Sequence, residues 1–318
     1  MCYSAQVWTE YRKYVRAFGA DIDIKDYFQI YWRFREGMAK LPKGMERDFD
    51  EPATDDERRV KQVIEEYKAE EARCVEEDLF KQRKRLADAQ RSLQTKTTKA
   101  ATESARIAAD KIEKCRLRLD DLRRTEPRDR DSRIFPAVYA PIMVWEGGRR
   151  VVKPMRYQCR PAGKPAFYDT KFPGTYNARR DNLEGFWKGQ FGHTHCIMAV
   201  TAFYENVNQH KAEGRELRDG EKVQNLVLEF KPRPAHDMLV ACLWSRWTGA
   251  DEPDLLSFAA ITDEPPAEVA AAGHDRCIIP IKPENIDTWL NPDPKNLAAL
   301  YAILDDRDRP YYEHRLAA

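Results

Sequence analysis

The first four residues, Met1-Cys2-Tyr3-Ser4, contain the most distinctive reactive group in the sequence. Removal of Met1 would leave Cys2 with a free α-amine of pKa about 7.7–8.0 and a thiol of pKa about 8.5. Such a 1,2-aminothiol reacts with an aldehyde, because the amine forms a Schiff base and the thiol closes it into a five-membered thiazolidine. The thiol could equally attack an acyl group, with the amine as the base. The alternative is that Cys2 is an incidental terminal residue.

The composition is typical of a globular protein with a net charge close to zero. The 318 residues include 54 basic and 53 acidic ones, a formal net charge of +1, so charge alone indicates neither a nucleic-acid nor a membrane partner. Seven cysteines without a C-x-x-C pair or a secretory hydrophobic segment are typical of free thiols in a reducing compartment. No apolar run approaches the roughly 20 residues that cross a bilayer. We therefore expect a soluble cytoplasmic protein, nucleoid-associated if bacterial, with no membrane partner.

The sequence lacks the common cofactor and hydrolase motifs. It contains no G-x-G-x-x-G or G-x-x-x-x-G-K-[ST] phosphate-binding loop and no G-x-S-x-G nucleophile motif. His193 and His195 lie two residues apart, but the pair leads into an apolar strand and no carboxylate is spaced to complete a metal site. We expect neither a metal nor a cofactor.

Residues 51–126 differ in texture from the rest of the chain. No glycine or proline lies between Pro52 and Pro127, and apolar residues recur there at helical spacing among many charged ones. The polar segment 94–99 indicates a bend, so the pattern predicts an antiparallel αα-hairpin of two long helices rather than one rod. Its polar majority cannot bury a core alone. We therefore expect the hairpin, residues 53–126, to be solvated or to bind a protein partner or a second copy of the chain.

Short apolar runs separated by Gly, Pro and Asn occupy residues 134–290. They lack the regular alternation of strands and helices that a parallel sheet requires, so they predict a mainly antiparallel α+β body. The sequence thus predicts one body formed by residues 1–50 and 127–318, with the helical hairpin inserted at residues 51–126.

Four short motifs follow the N-terminal Met-Cys in a fixed order. They are Tyr176-Asn177-Ala178-Arg179, the segment CIMAVTAFYEN at 196–206, the segment MLVACLWSRW at 238–247, and FAAIT at 258–262 followed by His274-Asp275-Arg276. In this order they resemble the SOS-response-associated peptidase (SRAP) family. The resemblance covers roughly residues 1–45 and 130–290. It implies a barrel-like β body with flanking helices, in which the hairpin is an insertion.

The resemblance implies a DNA-repair function. Family members bind single-stranded DNA and join their N-terminal Cys to the opened aldehyde of an abasic site, and the same machinery removes the initiator Met. By motif, Cys2 would be the nucleophile. Asn177 would position the Cys2 end or the opened sugar, Glu205 would act as acid and base, and His274 would protonate or orient the sugar hydroxyl.

The resemblance and the residue types also predict DNA contacts. Arg179 and Arg276 would hold backbone phosphates, since a guanidinium fork binds phosphate bidentately. Trp244 and Tyr204 are candidates for stacking on unpaired bases.

Several positions depart from the family pattern. Tyr3-Ser4 replaces the usual Gly-Arg after Met-Cys, Asn206 replaces a Trp, and Ile278 replaces a Pro. Arg156-Tyr157 replaces a Trp-Gly pair. The resemblance is therefore to a divergent member.

Two other functional classes compete with this interpretation. In one, the body is a non-catalytic SRAP scaffold that acts through its helical hairpin, and Cys2 is inert. In the other, the chain is a glutamine amidotransferase with an N-terminal Cys, whose fold would require Gly-rich and Asn-Gly segments that the early sequence lacks.

Overall fold

A computed structural model describes residues 3–249 and 252–317. The chain divides into two compact units, one formed up to Pro52 and from Arg128 onward, the other formed by Ala53–Pro127. The strands, all in the first unit, are β1 (Ser4–Val7), β2 (Asp21–Ile22), β3 (Arg133–Ile134), β4 (Tyr139–Glu146), β5 (Arg149–Tyr157), β6 (Asn177–Arg179), β7 (His195–Asn208), β8 (Asn225–Arg233), β9 (Met238–Trp247), β10 (Leu255–Asp263), β11 (Cys277–Ile278), β12 (Pro280–Ile281) and β13 (Tyr311–Leu316).

The α-helices of the described residues, in chain order, are α1 (Tyr11–Phe18), α2 (Ile24–Arg35), α3 (Asp55–Thr95), α4 (Lys99–Arg123), α5 (Tyr168–Lys171), α6 (Gln209–Ala212), α7 (Ala267–Ala271), α8 (Ile286–Leu290) and α9 (Leu297–Asp305). Helices α3 and α4 form the second unit. None of the helices in the described ranges combines the length and the apolar character needed to cross a membrane.

Five strands of the first unit are linked by a closed ring of pairings. β4 pairs with β5, β5 with β10, β10 with β9, β9 with β7, and β7 with β4. All of these pairs are antiparallel except β5 with β10. The large, mainly antiparallel sheet with flanking helices confirms the predicted α+β class.

The core of the first unit lies on the shared inner face of these strands. Met198 and Val200 of β7 face it, and so do Phe203 and Val207 beyond an irregularity in the register with β1. On the outer side, the Tyr14 hydroxyl of α1 donates to Pro141 O at 3.1 Å and accepts from Ala199 N at 3.1 Å. This bridge holds α1 against β4 and β7 with the hydroxyl of a fully buried ring satisfied.

The second unit is the predicted antiparallel αα-hairpin. Helix α3 begins with a capping box in which Thr54 and Glu57 satisfy each other's backbone N–H groups. It ends at Thr95, and α4 begins at Lys99 after the Thr98 cap, so the bend predicted at 94–99 is confirmed. The two helices enclose a small apolar core of Leu79, Ile112, Cys115 and Leu119.

Candidate active site at the start of the N-terminal strand

Glu205 is a carboxyl group on the inner, apolar face of β7. It lies between Phe203 and Val207, which both belong to the core, so the two-residue period of the strand directs it inward. Its exposed fraction is 0%. Because burial disfavours the carboxylate, the pKa of Glu205 is raised well above its usual value. Burial therefore favours the protonated acid over the carboxylate.

His274 is the partner of this acid. Its Nε2 lies 3.2 Å from Glu205 Oε2, and burial lowers the pKa of the imidazole. Nδ1 lies 2.9 Å from Arg276 O and 3.3 Å from Arg276 N. The nearer carbonyl can only accept, which assigns the proton to Nδ1 and leaves Nε2 to accept from Glu205. Both shifts favour the neutral forms, an acid that can give a proton and an imidazole that can take one.

The turn before His274 depends on a glycine. Gly273 follows α7 with φ +93°, a conformation that side chains other than glycine rarely adopt. A Cβ atom at this position would also lie 3.0 Å from Lys211 Cβ and 3.3 Å from Ala212 N. Gly273 thus lets the chain pass close to α6 and turn His274 toward Glu205.

Strand β1 brings the N-terminal end of the chain to the same acid. Ser4 pairs with Tyr204 and Ala5 with Phe203 in the antiparallel ladder with β7. The backbone N–H of Tyr3 donates to the Glu205 carboxyl group. Cys2, the predicted nucleophile, lies outside the described residues. Tyr3, which is bonded to Cys2, is the first described residue, and it lies next to the Glu205–His274 pair.

Asn177 begins β6, which runs parallel to β10 with Asn177 opposite Ala260. Its exposed fraction is 7%, and neither Oδ1 nor Nδ2 has a hydrogen-bond partner within residues 3–249 and 252–317. The preceding ring, Tyr176, lies 6.3 Å from that of Tyr3. A buried amide without partners costs stability, so it is a candidate for contact with a ligand.

The two predicted phosphate ligands line one small cleft. Arg179 and Arg276 border a space of about 40 Å³ together with Thr262. The Thr262 hydroxyl is buried and has no partner in the described part of the chain. Arg179 is half-exposed and pairs with Asp181, with Nε 2.9 Å from Oδ1. An exposed pair of this kind is weak enough for a phosphate to replace the carboxylate.

A comparison with known families assigns the chain to one of them. The family model described as SOS response associated peptidase (SRAP) matches residues 90–315, more than two thirds of the chain. The chain belongs to the SRAP family. Its membership associates it with the SOS response to DNA damage and with peptidase-like activity in general.

Solved structures similar to this SRAP chain share little sequence with it. A Bordetella bronchiseptica protein is 15% identical with a TM-score of 0.46, over 59% of this chain and 87% of that one. A Bacteroides thetaiotaomicron protein is 16% identical with a TM-score of 0.44, over 57% and 74%. A phage-related protein from Bordetella bronchiseptica is 19% identical with a TM-score of 0.44, over 58% and 81%. No curated protein sequence matches the chain significantly.

The two predicted stacking residues of this SRAP member occupy different environments. Tyr204 is 6% exposed, its hydroxyl donates to Glu229 at 2.9 Å, and the Arg133 guanidinium covers its ring at 3.7 Å. Its ring therefore has no face free for a base, which corrects that prediction. Trp244 is half-buried against the core, opposite Phe258 in the β9–β10 ladder.

Sequence reasoning missed Arg133 and Phe135, which lie beside Tyr3 and Ser4 at the start of β1. Tyr3, Phe135 and Arg133 meet there because β3 pairs with β1. Phe135 and Arg133 follow the hairpin and carry no motif, so only the pairing of the two strands identifies them. The buried His195 is structural, since Gly192 N donates to its Nε2 at 2.8 Å. No group of three or more His, Cys, Asp or Glu within the described ranges is arranged to hold a metal ion.

Proposed function

We propose that this SRAP protein binds single-stranded DNA containing abasic sites and bonds to it covalently through Cys2. The observation that carries the proposal is the buried Glu205–His274 pair at the start of β1. The Tyr3 N–H donates to Glu205, and Cys2 is bonded to Tyr3, so the proposal places the Cys2 aminothiol beside a proton donor and acceptor.

The proposed reaction begins at the ring-opened aldehyde of the abasic sugar. The Cys2 amine attacks the aldehyde carbon, and loss of one water gives a Schiff base. The Cys2 sulfur then adds to the same carbon, and its proton passes to the nitrogen as the thiazolidine closes. No oxidant or reductant is consumed. Covalent DNA binding therefore requires only proton transfers from the protein.

The Glu205–His274 pair suits these transfers. Loss of water needs a proton donor, and burial favours the protonated form of the Glu205 carboxyl group. Closure of the ring needs an acceptor for the thiol proton, and His274 Nε2 can serve once Glu205 has given up its own proton, because burial favours the neutral imidazole. The unpartnered amide of Asn177 supplies a donor and an acceptor for the opened sugar.

Exposure of the Cys2 amine requires hydrolysis of the Met1–Cys2 amide. We propose that this peptidase step is either autocatalytic, with the same pair, or performed by an aminopeptidase. A Schiff base also permits β-elimination at the abasic site, so strand incision belongs to the same chemistry. Arg179 and Arg276 would hold phosphates beside the reacting sugar.

The test is to incubate the full chain with single-stranded DNA that carries one abasic site. Denaturing gels and intact mass should reveal a heat-stable adduct that lacks Met1 and weighs one water less than its components. Cys2→Ala should give no adduct, and Cys2→Ser should give no thiazolidine. Absence of an adduct from a protein whose Met1 is confirmed removed would refute the proposal.

A second candidate function is protein binding by the hairpin. Phe80 and Leu117 are 71% and 59% exposed on the second unit, which is unusual for large apolar side chains in a charged hairpin. We propose that they mediate self-association or contact a protein partner. Replacing both by Ser should lower the mass measured by sedimentation if the chain self-associates. Unchanged mass, with no loss of any copurifying partner, would contradict this role.

A further inference from the structure

Two exposed aromatic rings stand beside the start of β1. Tyr3 is 41% exposed and Phe135 is 37% exposed, although both are large apolar side chains. Their ring centroids are 5.8 Å apart at an interplanar angle of 70°. Tyr3 also contacts Tyr176, which precedes Asn177. The exposed rings therefore border the candidate active site.

Arg133 joins the two rings to the N-terminal strand. Its guanidinium lies 5.0 Å from the centroid of Phe135, and Nε and Nη2 both donate to Ser4 Oγ at 3.1 Å. Two of the three guanidinium nitrogens are thus held by a neutral hydroxyl rather than by a carboxylate. The positive charge of Arg133 is not neutralised by this contact.

Glu229, which interacts electrostatically with Arg133, is also bound by other donors. Glu229 accepts from the Tyr204 hydroxyl at 2.9 Å, lies 3.2 Å from Lys231 Nζ, and is hydrogen-bonded by Arg315 Nε. With Arg133, three cations lie near two acidic groups, Glu229 and Asp129. The local balance is positive and favours an anion at this surface.

We propose that Tyr3, Phe135 and Arg133, here termed the N-terminal platform, hold the nucleotide adjacent to the abasic site in single-stranded DNA. The inference rests on the proposed function and extends it. A strand that lacks a base leaves the neighbouring base without a stacking partner on that side. The exposed Phe135 and Tyr3 rings replace that partner, and Arg133 binds the phosphate that links the two nucleotides.

The platform accounts for two features of the chain. It supplies an open aromatic surface, which Tyr204 does not, because Arg133 and the core cover that ring. It also supplies a guanidinium beside Ser4, close to the reacting end of the chain. The side chains that contact the flanking nucleotide therefore come from both sides of the inserted hairpin.

Stacking is tested by binding rather than by reaction. The full chain with Cys2→Ala is titrated with an oligonucleotide carrying one tetrahydrofuran abasic analogue, which cannot open to an aldehyde. Phe135→Leu, which keeps an apolar side chain, should weaken binding about tenfold, within the 1–3 kcal/mol that one stacked base contributes. Phe186→Leu is the matched control, since Phe186 is also 37% exposed and lies outside the platform.

A second oligonucleotide separates stacking from a merely structural effect. It carries a tetrahydrofuran analogue at each position flanking the first, so no adjacent base can stack. The penalty of Phe135→Leu should disappear with this DNA. An equal penalty on both oligonucleotides, or no penalty on either, would overturn the stacking role.

The phosphate contact is tested by salt dependence. Arg133→Gln should reduce the slope of log K against log salt by about 0.7, the value for one phosphate contact to a single strand. An unchanged slope would overturn the role of Arg133. If wild-type protein fails to form an adduct with a natural abasic site while these binding effects persist, the covalent chemistry fails and the platform stands. If the adduct forms but neither Phe135→Leu nor Arg133→Gln affects binding, the covalent chemistry stands and the platform is refuted.

Discussion

Glu205→Gln should remove the proposed acid while stabilising the fold at neutral pH. The Gln amide can keep both contacts, accepting from the Tyr3 N–H and donating to His274 Nε2. It cannot release a proton to the reacting sugar. Loss of a general acid–base group costs about 10²–10⁴ in rate, so adduct formation should slow by that factor.

The stability effect follows from the raised pKa of Glu205. In the unfolded chain the carboxyl ionises above about pH 4.5, whereas in the folded chain burial keeps it protonated well above that pH. The folded state therefore holds one more proton in that interval, and wild-type stability falls as pH rises through it. Gln has no such proton. The stability advantage of Glu205→Gln should grow toward about 1.4 kcal/mol per pH unit within the interval.

The assay is urea unfolding of wild type and variant at several pH values, beside single-turnover adduct formation. The variant should be more stable at pH 7 than at pH 5 relative to wild type, and slower in adduct formation at both. A stability difference that does not change with pH would refute a buried protonated Glu205. A variant that forms adduct at the wild-type rate would refute its catalytic role.

Three further variants extend these expectations. Asn177→Leu should raise the free energy of unfolding by about 1–3 kcal/mol, because it removes buried polar atoms without partners in the described residues. It should also slow adduct formation. A lower free energy of unfolding would mean that the Asn177 amide does have hydrogen-bond partners. Burial raises the pKa of Asp48 to about 7, so the wild-type free energy of unfolding should fall as pH rises from 4 to 7. Asp48→Asn should abolish that fall, as measured by urea unfolding at several pH values, and should leave adduct formation unchanged. Replacing residues 53–127 by a short flexible linker should preserve adduct formation, because the side chains of Arg47 and Asp131, near the two ends of the excision, meet, with Nη2 3.9 Å from Oδ2. Loss of adduct by a folded deletion variant would assign the hairpin a direct role.

Local sequence patterns predicted the helices and strands better than they predicted which strands pair. The absence of Gly and Pro between Pro52 and Pro127 predicts the helical hairpin, because helices of this length depend on uninterrupted propensity. The apolar runs predict the strands and their antiparallel class. The closed ring through β7 and β9 could not be predicted, since pairings between distant strands leave no periodic signal.

The candidate site was likewise only partly predictable from the sequence. The motifs supplied Glu205 and His274, and alternation with Phe203 and Val207 directs Glu205 inward. The burial of Tyr204 against Arg133 had no local signal, because the two residues are far apart in the sequence. Cys2 lies outside the described residues, so its role remains the proposal tested by the adduct assay.

The pairing of β1 has a consequence for the order of assembly. Its ladder partners include Ile134 and Phe203, which leave the ribosome long after Ala5 does. Contacts between residues so far apart in sequence form late, because closing the long intervening loop costs entropy before the contacts can stabilise the fold. Strand β1 is thus synthesised before its partners and is among the last strands to dock. A nucleophile at its end would meet Glu205 and His274 only in a finished molecule, so nascent chains would be protected from premature reaction.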